Sequence, residues 1–190
     1  MYQKYQTDAI VLGSREAGEN DRVFTLFTRE FGLVRARASA VRTEKSRMRY
    51  ALQNYARTNA ALIRGKRGWR LAGASATQNA HSDSRGLAAF ARISELAVRL
   101  VHGEERNDFL FSILAETHTA LTRSRTEEMS TIEIVCVARV LYALGYLSFE
   151  ALDTTLFTHT AYMGEHLREA DVMRGTLLSM INKAIAETHL

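Results

Sequence analysis

The chain contains no proline in 190 residues. No loop is therefore stopped by a fixed φ and no polyproline linker stiffens a junction, so turns fall to Gly, Asn, Asp and Ser. Cys136 is the only cysteine, which excludes an internal disulfide and a cysteine-rich zinc site. Its neighbours, Ile134-Val135-Cys136-Val137-Ala138, are apolar and predict a buried, inert thiol. No apolar run approaches the roughly 18–20 residues that cross a bilayer. The N-terminal stretch MYQKYQTDAIVLG lacks the cationic start, apolar run and small-residue cleavage site of a signal peptide. A soluble cytoplasmic protein is expected. Also missing are the GxxxxGK phosphate loop, HExxH and GxSxG.

What the chain does have is charge, unevenly placed. Residues 1–75 hold 15 Lys/Arg against 6 Asp/Glu, or +9, and the remainder carries −5, giving +4 in all. A basic first half points to a polyanion such as nucleic acid rather than to a merely solvated surface. The stretch from Asp8 to Arg49 organises this half. Ala9–Arg15, Arg22–Arg29 and Gly32–Ala40 read as strands, separated by the turn-forming run Glu16-Ala17-Gly18-Glu19-Asn20-Asp21 and by Glu30-Phe31-Gly32. Period-two alternation puts Arg35 and Arg37 on one strand face. Arg42, Lys45, Arg47 and Arg49 follow within eight residues.

Ala51–Ile63 continues as an extended candidate, and Arg64-Gly65-Lys66-Arg67-Gly68 is a cationic turn leading into Trp69–Ala74. The two runs read as a β-hairpin. Five strands before about residue 76, with short loops and no helix of any length, fit a five-stranded oligonucleotide-binding barrel.

The period changes at Ser84. Leu87, Phe90, Leu96, Leu100 and Val101 recur at helical spacing, with Asp83 or Ser84 as N-cap and Gly103 as terminator. Further helices are predicted over Asn107–Leu121, Glu127–Ala143 and Arg168–Glu187. The second of these is apolar nearly all round, the mark of a central helix, and Gly145 closes it. Phe149, Leu152, Leu156 and Phe157 suggest a short helix or turn, and Thr158–Gly164 a loop. The fold class is α+β: an N-terminal barrel domain over residues 1–78 and an all-α helical domain over 79–190, the switch lying near residues 75–84.

The candidate DNA-binding set is Arg35, Arg37, Arg42, Lys45, Arg47, Arg49, Lys66, Arg67 and Arg70, since arginine's fork suits phosphate oxygens and lysine adds a mobile charge. Tyr50, Tyr55 and Trp69 have the ring faces on which unpaired bases stack. Tyr55 reads better as core; for Trp69, beside the basic turn, core and stacking stand equally. His102, Glu104, Glu105 and His118 are the residues a metal-assisted nuclease would need, but their spacing is not that of a metal site. His159 and His166 form another loose pair. Glu19 and Asp21 are a conceivable carboxylate dyad, though in a Gly-Glu-Asn-Asp turn a structural role is expected.

The runs Ala9-Ile10-Val11-Leu12-Gly13-Ser14-Arg15, Gly18-Glu19-Asn20-Asp21-Arg22 and Thr25-Leu26-Phe27-Thr28-Arg29-Glu30-Phe31-Gly32 resemble the N-terminal domain of the bacterial recombination mediator RecO. Lys45-Ser46-Arg47 resembles that family's basic segment, and Leu144-Gly145-Tyr146 the step that ends a central helix of its helical domain. The resemblance implies a non-enzymatic DNA repair protein without cofactor. Such a protein binds single- and double-stranded DNA, promotes annealing and, with a RecR partner, helps load recombinase onto strands coated by single-strand-binding protein. It implies phosphate contacts for Lys45 and Arg47. Arg22 and Arg29 match motif positions and serve either DNA or the fold. Arg139 is the expected contact for the acidic tail of single-strand-binding protein. One departure stands out: where many members carry a four-cysteine zinc site, Asp153-Thr154-Thr155-Leu156 and the following loop hold no cysteine, so no metal is expected. The competing reading is a non-catalytic interaction adaptor with only minor DNA contacts.

Overall fold

Five strands, β1 (Lys4–Glu16), β2 (Arg22–Thr28), β3 (Gly32–Ala38), β4 (Arg57–Gly65) and β5 (Gly68–Gln78), close into a barrel in the order β1-β2-β3-β5-β4. The computed structural model describes residues 3–44, 46–80, 83–148 and 154–188. Closure depends on two features. The long β1 pairs antiparallel with β4 over Lys4–Ile10 and with β2 over Ala9–Glu16, a register shift after Val11 bending it between the two partners. At the other side β3 and β5 run parallel, with Ala36 opposite Trp69 and Arg37 opposite Arg70. This is the oligonucleotide-binding fold expected from the sequence.

Alternation decides what faces inward. Along β3 every second residue, Val34, Ala36 and Ala38, is buried, while Arg35 and Arg37 are exposed. Phe24, Leu26, Leu62 and Trp69 join Val34 in the barrel core. Trp69 meets Tyr5 and Phe31 at centroid distances of 5.9 and 5.0 Å. Phe27 lies on the other face of β2 and stacks on Phe111 at 6.3 Å.

The strand bounds differ from expectation most at β4, β1 and β5, the last running on to Gln78. β4 begins at Arg57, not near Ala51, because Met48–Ala51 forms one turn of helix, α1. Four residues are too few to show a helical period. Tyr55, at φ 68°, then turns the chain into β4, its N–H donating to the Val11 carbonyl at 2.7 Å. β1 begins at Lys4, ahead of the apolar run that suggested it.

The chain divides into two compact units, the barrel with His102–Phe111 and the remaining helical residues. His102–Phe111 groups with the barrel although it follows a long helix. Gly32, at φ 60°, shows how close that approach is: a Cβ there would lie 2.1 Å from the Glu105 carbonyl oxygen. Both backbones are fixed, so neither yields cheaply. Gly32→Ala is expected to cost about 2–3 kcal/mol of stability, read by denaturant unfolding; a variant as stable as the parent would contradict this packing.

The helices are α2 (Ser84–Leu100), α3 (Asp108–Arg123), α4 (Met129–Ala143), α5 (Gly164–Val172) and α6 (Arg174–Glu187). Asp83 caps α2, its side chain accepting from the N–H groups of Arg85 and Gly86. The Asn107 side chain accepts from the N–H of Leu110 at 2.8 Å and so caps α3. α4 packs against α2, α5 and α6, as its apolar circumference requires. It ends at Gly145 (φ 79°), where the N–H groups of Gly145 and Tyr146 donate to the carbonyls of Tyr142 and Leu141, the Schellman closure. The single helix expected over Arg168–Glu187 is two helices, broken at Met173. Leu156 and Phe157 are buried; Phe149 and Leu152 lie outside the described residues. Cys136 is fully buried, and loss of solvent pushes its thiol up to about 11, so it is not a thiolate at neutral pH. No helix among the described residues is long and apolar enough to cross a membrane.

Candidate nucleic-acid interface

The parallel pairing of β3 with β5 builds the cationic face. Because Arg37 and Arg70 are register partners and Arg35 lies two residues along the same face, three arginines share one face of two strands spaced about 4.8 Å apart. The β4–β5 turn adds Lys66 and Arg67. Arg37, Lys66, Arg67 and Arg70, with Asp21, Ser39, Ile63 and the Trp69 edge, line a groove of about 530 Å³. Its walls are therefore the β1–β2 loop, β3 and the β4–β5 loop, the surface on which this fold takes oligonucleotides.

Among the described residues, Arg35, Arg47, Lys66, Arg67 and Arg70 are exposed with no acidic partner within ion-pair distance. Arg37 differs. Its Nε and Nη2 both reach Asp21 Oδ2 at 2.8 Å. The other carboxylate oxygen, Oδ1, accepts the Ala40 N–H at 2.8 Å. Ala40 sits at φ 53°, so Asp21 holds a left-handed turn at the end of β3 and aims Arg37 along the groove. The expected structural role of Asp21 is what the geometry gives it.

The Ala40 N–H, and then Arg37, hold the Asp21 carboxyl below its usual value. A depressed folded-state pKa stabilises the fold at pH above the ordinary carboxylate value of about 3.9 and loses that contribution as pH falls through the lowered value. Asp21→Asn is therefore expected to melt below the parent at neutral pH, with the gap closing in the acid range. Melting curves from pH 7 down to pH 2 check this; a gap that widens with acid would contradict it.

A second groove, about 260 Å³, is lined by Arg22, Phe24, Val41, Arg42, Arg49 and Leu52. Its lining lies close to that of the first along the chain, Arg22 following Asp21 and Val41 standing two residues after Ser39. Glu16 lies 3.8 Å from Arg22 and 3.2 Å from Arg42, so part of this groove's charge is already answered. Arg29 pairs with Asp8 at 3.8 Å and covers the Phe111 ring at 4.4 Å, a fold role. Lys45 lies outside the described residues.

Two of the expected contacts sit elsewhere. Trp69 is only 4% exposed. Its position opposite Ala36 points it into the barrel, so it is core and not a stacking platform, with the Arg64 guanidinium 5.3 Å above its ring. Arg139 is fully buried inside the helical unit. Its Nε, Nη1 and Nη2 donate to the carbonyls of Leu156, Thr160 and Ala161 at 2.7, 2.9 and 3.1 Å, and its Cζ lies 4.7 Å from the Tyr162 ring. Each of its three nitrogens thus donates to the chain itself, and with no exposed surface the role expected for it gives way to that of an internal tie. The sequence held part of the signal, since Arg139 stands among Val135, Cys136, Ala138, Val140 and Leu141, an apolar run that the structure buries.

The residues considered for metal chemistry do not assemble. His102, Glu104 and Glu105 are exposed, Glu104 pairing with Arg64 at 3.3 Å, while His118 is buried against Phe90. His159 and His166 do meet, rings stacked at 5.6 Å. Among the described residues, no three His, Cys, Asp or Glu side chains come together in a way that would hold a metal ion.

Residues 1–76 match the family model for the N-terminal domain of recombination protein O. The chain is 47% identical over 62 residues to the DNA repair protein RecO of Desulfitobacterium hafniense strain DCB-2, covering 33% of this chain and 23% of that protein. Longer matches join it to the RecO proteins of Caldanaerobacter subterraneus, 28% identical over 75% of this chain and 58% of the relative, and of Myxococcus xanthus, 32% identical over 63% and 50%. The matched part thus spans from about a quarter to somewhat over half the length of these relatives.

Proposed function

Because the chain belongs to the RecO family, we propose that it acts in recombinational DNA repair as a mediator that binds DNA, anneals single strands and helps load recombinase. The observation that carries this reading is the groove where Arg37, Lys66, Arg67 and Arg70 converge between the β1–β2 loop, β3 and the β4–β5 loop. Phosphates exchange their condensed counterions for these cations, and the ions released supply an affinity indifferent to sequence. Two strands bound to one cationic face repel each other less, which favours pairing. No covalent step is needed, and the chain acts without cofactor or bound metal. Its place is the cytoplasm, where bacterial DNA lies.

The helical unit is the part assigned to protein partners, a single-strand-binding protein and a RecR-like protein. Supporting this, it has a surface groove of about 300 Å³ in which Tyr146, Leu147 and Met180 lie beside one cation, Lys183, and one carboxylate, Glu187, an apolar floor with a polar rim suited to a peptide.

Complementary oligonucleotides coated with single-strand-binding protein test the proposal. The chain is expected to speed their annealing, and Lys66→Ala with Arg67→Ala to slow it again. A folded protein that binds its partners yet leaves annealing unchanged would favour the adaptor reading.

A further inference from the structure

Tyr50 is 60% exposed, and among the described residues it is the one large apolar or aromatic side chain so exposed in the barrel unit. It is not a loose ring. The Arg49 guanidinium lies 4.7 Å from its centroid, and Nη2 donates to the phenol oxygen at 2.6 Å. A cation fixed over one face leaves the opposite face for another planar group, and it makes the pair more rigid than either side chain alone. Arg49 also lines the second groove with Arg22 and Arg42, and Arg47 stands exposed on the same segment. Cations for the backbone and a ring for a base are thus interleaved within four residues, the arrangement by which proteins hold unpaired strands.

We propose that Tyr50, backed by Arg49, stacks on an unpaired base, and that it gives the barrel face a preference for single-stranded over duplex DNA. The inference rests on the DNA-binding reading above and specifies which form of DNA the second groove takes. In a duplex each base already has neighbours on both faces, so the ring has nothing to stack on, and duplex binding is left to phosphate contacts alone. The path of a single strand then runs from the groove at Arg37 and Arg70, past the Asp21–Ala40 junction, to Tyr50.

The test uses the full chain with a single-stranded oligonucleotide carrying 2-aminopurine and with the duplex of the same sequence. Tyr50→Ala is expected to raise the single-strand dissociation constant roughly tenfold and to abolish the quenching of 2-aminopurine that stacking produces. Duplex affinity is expected to stay within about twofold, because phosphate contacts are untouched. Tyr50→Phe keeps the ring and is expected to restore both signals. Unchanged single-strand binding in Tyr50→Ala would overturn the inference, as would equal weakening for both forms, which marks a scaffold or protein-contact role. If the parent chain binds neither form, the DNA-binding reading itself fails and this inference with it.

Discussion

Exchanging Arg35, Arg37 and Arg70 together for glutamine is expected to weaken binding to single-stranded DNA by about 100-fold near 100 mM salt, each solvent-exposed phosphate contact being worth on the order of 1 kcal/mol. The register places these three side chains on one face of two paired strands, where under the proposed function they would meet consecutive parts of one backbone. The salt slope is expected to fall by about 2, since each phosphate contact on a single strand contributes about 0.7. Arg37 is expected to matter most. Removing it deletes one cation and also leaves the Asp21 carboxylate, now paired at 2.8 Å, as a bare negative charge in the groove. Fluorescence anisotropy at several salt concentrations measures both quantities. A triple variant with parental affinity and slope would move the binding surface elsewhere.

The second large effect concerns the helical unit. Arg139→Met keeps most of the side-chain volume but deserts the carbonyls of Leu156, Thr160 and Ala161. Unfolding free energy is expected to fall by about 3–5 kcal/mol, the scale for breaking a buried, charge-assisted hydrogen-bond set. Arg139→Lys is expected to recover little of it, because an ammonium cannot present a planar fork to three carbonyls. Hydrogen exchange of residues 154–162 is expected to speed up in both variants. DNA affinity should not change, as the cationic groove is built from barrel residues. A stable Lys variant, or a Met variant with parental stability, would show that the tie is not what orders this loop.

Much of the barrel was legible in the sequence because it rests on local rules. The alternation of Leu33-Val34-Arg35-Ala36-Arg37-Ala38 settles both the strand and the outward course of its arginines. The cationic β4–β5 turn was marked by its two glycines. What escaped depends on contacts far apart in the chain or on elements too short to have a period. Trp69 is adjacent in sequence to exposed cations, and only its pairing opposite Ala36 sends it inward. α1 is a single turn. The grouping of His102–Phe111 with the barrel depends on Gly32 admitting the Glu105 backbone, which no local pattern encodes. The break at Met173 has neither glycine nor proline at its centre to announce it. Asp21 was visible as a turn residue, but its hold on both Arg37 and Ala40 required the third dimension.

The proposed function stands on binding of nucleic acid by the barrel through clustered phosphate contacts. Its most direct test is the affinity of the full chain for a labelled single strand of mixed sequence, followed from about 50 to 200 mM salt. Log K is expected to fall linearly with log salt, with a slope of about −2 to −4 for three to six phosphate contacts, and to change little between sequences of equal length. Affinity that ignores salt, or a folded chain that binds no strand at 50 mM, would contradict it.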